Sequence, residues 1–486
     1  MIRELKYHRI LSAATMDPET TTPASDAPPR FHRTLSGFGV IILTLSVLSP
    51  GVSIFVSGGT IIQQAGSGAI LAFLLGGAIN YFQTSMTAEL GSAYPTAGYD
   101  YAAIGHAIGD WAGATTYVAS LVSLPLFLNT SAVGIAIYLR PLFPGLEDDA
   151  VTYATIFVVT FLAMLNIRSN ERITGLFLLI EVLALLLVAV LGAAHVQPGV
   201  HELMAHPVTV RNGGWVGVGL GAMALASTSA SWAIAGSNQA LFFSEDMRHP
   251  GTVGRIMILS FLATVFLETA PVAGTIVGSH DLKQVLGASA PFEEFLKQYL
   301  PAFGMKFISL SIAVAIFNAT LAGFIGIGRN VFSMGRTALF HPRLNRLLMH
   351  LISRTDAPWV ALLLIGGVTA LATLLSMKIK IMMLAGNLTF MTMFYLWGCI
   401  SGRRSGRTRD AAYRTPLYPL VPVVGIFIVA GEVTAQWLDR DVGRPSLVLW
   451  LGIFTASYLY YRFVLLRRPR GWRMAGPVDV DTHTVE

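Results

Sequence analysis

The sequence has little charge and almost no cysteine. Only 12% of its 486 residues are charged, whereas an average soluble domain carries about 25%. The single cysteine, Cys399, lies inside an apolar stretch, so it excludes an internal disulfide and offers no loop thiol to a disulfide-linked partner chain. The eleven histidines fall in loops, tails or at the ends of apolar stretches, without metal-ligand spacing. Since no nucleophile–base pair or phosphate-binding loop is visible, we expect no enzyme, metal or cofactor site.

Long apolar runs, in contrast, fill most of the chain. Hydrophobic residues make up 53% of it and the mean hydropathy is +0.61. An apolar stretch of about 20 residues spans the hydrocarbon core of a bilayer. Twelve such runs occur, numbered here 1 to 12: 37–63, 68–90, 112–138, 150–166, 173–195, 213–242, 254–278, 303–328, 358–376, 380–401, 416–437 and 446–465. The sequence therefore predicts an all-α integral membrane protein with twelve transmembrane helices in one unit, residues 37–465.

The basic residues indicate how this unit is oriented. Most of the 33 Lys and Arg residues fall in the tails and in alternate loops, and such loops face the cytoplasm. We expect a cytoplasmic membrane protein with both termini inside, so the net charge of +6 reflects topology and not nucleic-acid binding. Residues 1–36 are polar and predicted to be a disordered cytoplasmic tail, and no cleavable signal precedes run 1. Residues 466–486 are predicted to be the cytoplasmic C-terminal tail, disordered after Arg473.

Two of the runs are interrupted near their centres. In run 1, Pro50 removes a backbone donor and Gly51 loosens the chain, and in run 6 Gly236 stands within residues 232–238 (WAIAGSN). A helix is broken in hydrocarbon only where the freed backbone groups face protein, water or a ligand. Two interrupted helices in matching positions of two halves indicate the binding site of a secondary transporter.

Three carboxyl groups lie inside the runs and away from their ends. Glu181 of run 5 has no cation near it in sequence. A charged carboxyl group is expensive there, so Glu181 is a candidate for proton coupling, and the alternative is a permanently neutral acid bonded to a neighbouring helix. Glu268 in run 7 and Glu432 in run 11 raise the same question with less support.

Other stretches allow more limited predictions. The glycine-rich residues 213–221 (GGWVGVGLG) follow no predicted strand, so we expect them to open the helix of run 6 and pack closely. Residues 91–110 lack Lys and Arg on the basic side, which predicts a buried short interfacial helix. Arginines in the predicted loop 329–356 are available for ion pairs with Glu89, Glu245 or Asp246. Run 3 carries five polar residues that either bond to neighbouring helices or line a substrate path: Ser120, Ser123, Asn129, Thr130 and Ser131. Asn387 and Thr389 are the main polar groups in the middle of the later runs.

Four stretches together resemble the amino acid–polyamine–organocation (APC) permeases. They are residues 51–55 (GVSIF), 88–98 (AELGSAYPTAG), 244–250 (SEDMRHP), and 333–336 (SMGR) with the His-Pro pair at 341–342. The second is the most specific. The resemblance implies a LeuT-like fold with a five-plus-five inverted repeat, in which about 37–195 is the first repeat and about 213–401 the second. Residues 416–465 form two appended helices, and helices 1 and 6 are discontinuous.

The resemblance also implies where a zwitterion binds. Its carboxylate would meet amides of Val52, Ser53 and Ile54, after Gly51, at a half-helix N-terminus, which favours an anion. Its ammonium group would meet backbone carbonyls, Trp232 would close over it as a gate, and polar side chains would assist. The carbonyls are those of Leu48, Ser49, Trp232 and Ala235, and the polar groups are Ser53, Ser237 and Asn238 beside Gly236.

Two departures from the family pattern affect the mechanism. Asn238 stands where arginine-handling relatives carry a glutamate, which favours a neutral substrate. Glu181 stands where several relatives carry a lysine, so their coupling mechanism does not transfer directly.

The sequence thus predicts a permease for an α-amino acid or similar small zwitterion, working by alternating access with a proton as coupling ion. An amino acid or polyamine exchanger is one alternative. A receptor that binds amino acid without transporting it is another, although such receptors commonly need longer cytoplasmic extensions.

Overall fold

The computed structural model describes residues 31–468 except 141, 144 and 212, together with 472 and 474. Most of the two predicted tails therefore lies outside the described residues. Residues 31–36, which the sequence pattern places in the first tail, pack on the helices: Phe31 is 4.8 Å from Phe332 between ring centroids, and Leu35 pairs with Met247. In the second tail, the Trp472 indole donates a hydrogen bond to the Thr337 carbonyl at 2.8 Å.

The described chain is almost entirely helical. Its first half contains α1 Gly37–Leu48, α2 Pro50–Val52, a π-helical turn Ser53–Gly58, α3 Gly59–Ala65, a 3₁₀ turn Gly66–Gly68, α4 Ala69–Ala93, α5 Tyr99–Ile108, α6 Asp110–Leu139, α7 Asp148–Leu162, α8 Ile167–Ala194 and α9 Val200–Ala205. A hairpin of β1 Val208–Arg211 and β2 Gly214–Gly217 follows.

The second half begins with the helix of run 6. It contains α10 Leu220–Ile234, 3₁₀ segments Ser237–Asp246 and Pro250–Thr252, α11 Val253–Gly278, α12 Leu282–Gly287, α13 Pro291–Lys297, α14 Ala302–Arg336, α15 Pro342–Leu348, α16 Trp359–Leu371 with a 3₁₀ turn Ala372–Leu374, α17 Met377–Arg404, α18 Leu420–Leu438, α19 Gly443–Tyr460 and a π-helical turn Tyr461–Leu465.

Nine helical stretches of the described residues are long and apolar enough to cross a membrane. The remaining three runs form shorter helices: α7 for run 4 and α10 for run 6 have 15 residues each, and α16 for run 9 has 13. The chain is therefore a multi-pass helical membrane protein, and the count of twelve and the inverted repeat stay predictions.

The prediction for residues 213–221 was wrong. Gly214–Gly217 pairs antiparallel with Val208–Arg211 as a small exposed hairpin, and the helix of run 6 begins only at Leu220. A Cβ added at Gly217, Gly219 or Gly221 would meet nothing within 4 Å, so these glycines do not serve close helix packing. The hairpin is also the one described departure from an all-α chain.

The arginine-rich region after run 8 is more ordered than expected. Residues 329–336, predicted as loop, continue α14. The two arginines of this stretch are buried, and each forms an ion pair. Arg329 binds Asp246 at 2.6 Å and Arg336 binds Glu245, as predicted. Glu89 instead pairs with Arg403 of α17 at 2.7 Å. Because buried charges need partners, these three pairs fix one end of the helix bundle.

Two further features position the candidate site. Residues 99–108, from the stretch without Lys or Arg, form the almost fully buried helix α5, which confirms the prediction of a short buried helix. Helices α8 and α11 approach so closely that a Cβ on Gly192 would lie 2.2 Å from the Gly274 Cα. Small residues permit this approach in membrane bundles, and it brings Glu181 of α8 and Glu268 of α11 to the same region.

Candidate functional site

The helix of run 1 is interrupted at Ser49, as predicted for this stretch. The backbone of Ser49 is left-handed, with φ +48°, and the Ser49 amide still donates to the Leu45 carbonyl at 2.7 Å, which closes α1. Pro50 then opens the next helical segment. Proline suits a first helical position because it has no amide hydrogen to satisfy.

Glu181 occupies the N-terminal end of this second segment. Its Oε1 accepts hydrogen bonds from the Gly51 amide at 2.7 Å and from the Ser49 hydroxyl at 2.9 Å. A Cβ on Gly51 would lie 2.7 Å from the Glu181 Cγ, so only glycine permits this approach. A protein carboxyl group therefore already binds the half-helix amide next to those predicted to hold the substrate's carboxylate.

The helix of run 6 is interrupted at Ala235 and Gly236, again as predicted. Helix α10 ends at Ile234, Ala235 is extended, and Gly236 has φ +131°, a conformation that strains any residue with a side chain. A Cβ on Gly236 would lie 3.2 Å from the Leu48 Cγ. The interruptions of runs 1 and 6 are thus in direct contact.

Ser53 joins the two interrupted helices. Its hydroxyl donates to the Ala233 carbonyl at 2.9 Å, which satisfies one backbone acceptor at the end of α10. Two predicted ammonium ligands are likewise engaged: the Trp232 carbonyl accepts from the Ala235 amide at 3.2 Å, and the Ser49 carbonyl accepts from the Ser53 amide at 3.1 Å.

A cavity of about 310 Å³ lies beside the interruption of run 6. Four predicted site residues line it: Trp232, Ala235, Gly236 and Asn238. Ser237 does not, because its hydroxyl lies 3.2 Å from that of Thr84 on α4. None of the predicted residues of run 1 lines this cavity in the described part of the chain; they are Leu48, Ser49, Gly51, Val52, Ser53 and Ile54.

Most of the cavity wall was not predicted. It adds side chains from α4, α5, α6, α14 and α17. Among them are Ser123, one of the five polar run 3 residues that the sequence left open between path and packing, and Asn387; the other four polar residues of run 3 and Thr389 do not line the cavity. The remaining lining residues are Gln83, Tyr99, Tyr101, Leu124, Phe127, Gln239, Ile327, Leu384, Leu388, Met391 and Tyr395.

An unpredicted buried acid lies behind this wall. Asp100 of α5 accepts hydrogen bonds from the Asn238 amide nitrogen at 2.9 Å and from the Tyr395 hydroxyl. Burial raises the pKa of Asp100 to about 7. The sequence signal was weak, because Asp100 follows the AELGSAYPTAG stretch by two residues but its partners stand 138 and 295 residues away.

The other two acids differ in position. Glu268 is fully buried near Ser53 and Glu181, and neither of its oxygens has a hydrogen-bond partner among the described residues. The Ser53 hydroxyl, which faces it, donates to Ala233 instead. Glu432 lines a separate cavity of about 10 Å³ with Gln83 and is not part of the two interruptions.

Comparison with known proteins agrees with this architecture. The family model described as "Amino acid permease" matches residues 39–474. This chain belongs to the amino acid permease family. It is 25% identical over 431 residues to the Asc-type amino acid transporter 1 of Mus musculus, covering 84% of this chain and 79% of that relative.

Two bacterial relatives cover more of both chains. The branched-chain amino acid permease BcaP of Lactococcus lactis is 24% identical over 451 residues, 87% of this chain and 92% of the relative. The methylthioribose transporter of Bacillus subtilis is 21% identical over 474 residues, 91% and 96%. The family's members are transporters and not enzymes, and the names of these relatives show that their substrates differ.

Proposed function

We propose that this permease carries an α-amino acid or similar small zwitterion across the cytoplasmic membrane by alternating access. The observation that supports this most is the cavity of about 310 Å³ at the interruption of run 6. The interruption of run 6 is itself in contact with that of run 1, through Gly236 and Leu48. Its volume falls at the lower end of the range of about 300–1,000 Å³ found for small-molecule sites. Trp232, which lines it, is the proposed gate.

The proposed binding mode uses both interruptions. The ammonium group lies at the run 6 side, near Asn238 and the Ala235 and Leu48 carbonyls. The carboxylate lies at the amides of Val52–Ile54, where it would displace the Ser49 carbonyl from the Ser53 amide. Glu181 holds the adjacent Gly51 amide at 2.7 Å. Because two carboxylates repel each other, an ionised Glu181 opposes the substrate's carboxylate at this helix end.

This competition suggests how a proton is coupled to uptake. A proton on Glu181 removes the repulsion, and binding of the substrate then favours the protonated form. Glu268 lies in the same region with unpartnered oxygens and is the second candidate for the proton. Proton symport is therefore the proposed mode, and exchange of one amino acid or amine for another is the alternative.

The proposed topology has twelve transmembrane helices, with five-plus-five inverted repeats over about 37–195 and 213–401 and both termini in the cytoplasm. An interruption in the first helix of each repeat supports this division. The interruption of run 6 would then be the counterpart of that of run 1.

Transport in proteoliposomes tests the proposal. Radiolabelled L-leucine, chosen because one relative is named as a branched-chain amino acid permease, is offered among the twenty amino acids. Under symport, an inward proton gradient drives accumulation. Counterflow with no response to the gradient would favour the exchanger, and ligand-dependent stabilisation without flux would favour the receptor.

The gate is tested by a matched pair of tryptophan variants. We expect Trp232→Ala to weaken binding at least about tenfold, or about 1.4 kcal/mol, as for a large aromatic contact residue. Trp215→Ala removes an exposed tryptophan of β2 and should leave transport unchanged. Equal transport by both variants would refute the assignment of Trp232.

A further inference from the structure

The buried acid Asp100 has an unusual set of partners. It is 2% exposed, and no ion pair of the described residues includes it. Its Oδ2 accepts from Asn238 and Tyr395, whereas its Oδ1 has no hydrogen-bond partner in the described part of the chain. Buried polar atoms are normally satisfied, so an acid held this way needs an explanation.

The hydrogen-bond chemistry of this group fixes the orientation of Asn238. A carboxylate only accepts hydrogen bonds, so the amide nitrogen of Asn238 must face it. That nitrogen also lies 3.3 Å from the Tyr395 oxygen, which commits its second hydrogen. If the Asn238 amide were reversed, its oxygen would face the Asp100 carboxylate oxygen with no hydrogen between them. The atom of Asn238 left for the cavity is therefore its carbonyl oxygen, an acceptor.

We propose that Asp100 is a positioning residue that turns the Asn238 carbonyl toward the cavity, so that this wall binds an ammonium group in preference to a carboxylate. The inference rests on the proposed function only in taking the cavity as the substrate site. An asparagine side chain can either donate or accept hydrogen bonds. Because Asp100 holds the amide nitrogen of Asn238, the side chain acts toward the cavity only as an acceptor.

The rest of the wall suits the same ligand chemistry. Tyr99, Tyr101, Trp232 and Tyr395 line the cavity, and aromatic rings attract organic cations. No described Lys or Arg lines it to compete with a cation or to attract a carboxylate.

The preference should depend on pH. Burial raises the pKa of Asp100 to about 7, while its hydrogen bonds from Tyr395 and Asn238 act in the opposite direction. The titratable side chains that act on it are Tyr99 and Tyr101 of α5 and Tyr395 of α17. A protonated Asp100 can donate as well as accept, so it no longer holds Asn238 in one orientation. The preference for ammonium should weaken as the pH falls through about 7.

Three probes separate the two ends of a zwitterion: L-leucine, 3-methylbutylamine, which lacks its carboxylate, and 4-methylpentanoate, which lacks its ammonium group. Their affinities are measured on the full-length protein in nanodiscs at pH 8 and pH 6. We expect the natural protein at pH 8 to bind the amine at least tenfold more tightly than the acid, the range of one hydrogen bond to a charged group.

Asp100→Asn should reduce this ratio to about threefold or less and remove its pH dependence, because an amide can offer either oxygen or nitrogen to Asn238. Asn238→Leu, which deletes the acceptor, should lose the preference as well. Asp281→Asn makes the same charge change at the exposed start of α12, outside the cavity, and should keep it. Thermal unfolding checks that each variant is folded.

The outcomes distinguish this inference from the proposed function. An amine-to-acid ratio unchanged in both Asp100→Asn and Asn238→Leu overturns the inference. So does a natural protein that binds neither the amine nor L-leucine. If the amine binds in an Asp100-dependent way but no amino acid is transported, the inference stands and the proposed function fails.

Discussion

Replacing Glu181 separates its structural role from its proposed role in coupling. Its Oε1 accepts two hydrogen bonds at the interruption of run 1, from Gly51 at 2.7 Å and Ser49 at 2.9 Å. Glutamine offers the same oxygen without a titratable proton, so Glu181→Gln should keep both bonds. Leucine offers no acceptor and leaves both donors buried and unsatisfied.

The expected loss of stability in Glu181→Leu follows from the two donors, the Gly51 amide and the Ser49 hydroxyl. An unsatisfied buried donor costs about 1–3 kcal/mol, so Glu181→Leu should destabilise the protein by roughly 2–6 kcal/mol relative to Glu181→Gln. Equilibrium unfolding in a denaturing detergent measures this difference. A Leu variant as stable as the Gln variant would show that the two bonds do not hold the interruption together.

The transport assay addresses coupling with the stable variant. Uptake of L-leucine by Glu181→Gln proteoliposomes is measured between pH 5.5 and pH 8. If Glu181 carries the coupled proton, the variant should lose the dependence of uptake on pH and on the proton gradient. An unchanged pH profile would remove Glu181 as the coupling group.

Two further substitutions test buried contacts, one at the site and one at the end of the helix bundle. Gly51→Ala places a Cβ 2.7 Å from the Glu181 Cγ, so it should displace the Glu181 side chain and lower the thermal stability. The control Gly431→Ala adds a Cβ that meets nothing within 4 Å, so its thermal stability should not fall. Equal stability of the two variants would contradict the close approach of Gly51 and Glu181. Asp246→Asn leaves the buried Arg329 without its ion-pair partner and should lower the free energy of unfolding by about 3–5 kcal/mol. Adding Arg329→Met removes the unpaired charge and should restore much of this loss. A double variant no more stable than Asp246→Asn alone would argue against an unpaired charge as the cause.

The interruptions of the helices were predictable because they follow local rules. Proline cannot donate and glycine permits positive φ, so Pro50 and Gly236 mark breaks without any knowledge of the fold. The buried helix α5 was also accessible from local sequence, through the absence of Lys and Arg on the basic side. The first prediction depends on the backbone properties of single residues and the second on the composition of one stretch, and both can be read from the sequence alone.

Contacts between distant segments could not be predicted in the same way. Asp100 became a candidate only when α5, run 6 and α17 were placed together, since its partners are Asn238 and Tyr395. Glu181 was noticed as a lone acid, but its partner Gly51 lies 130 residues away. The hairpin at 208–217 was missed because its glycines imitate a small-residue helix interface, and the pairing that distinguishes the two is not local.

The account depends on a ligand bound at the interruption of run 6, and thiol labelling tests this most directly. Cys399 is the single cysteine and is buried, so Cys399→Ser gives a cysteine-free background. In it, Ser123→Cys places a thiol in the cavity wall and Ser289→Cys places one on an exposed loop. We predict that the amino acid giving the largest thermal stabilisation slows maleimide labelling at position 123 several-fold and leaves position 289 unchanged. Labelling at position 123 that is the same with and without that bound amino acid would contradict the proposed site.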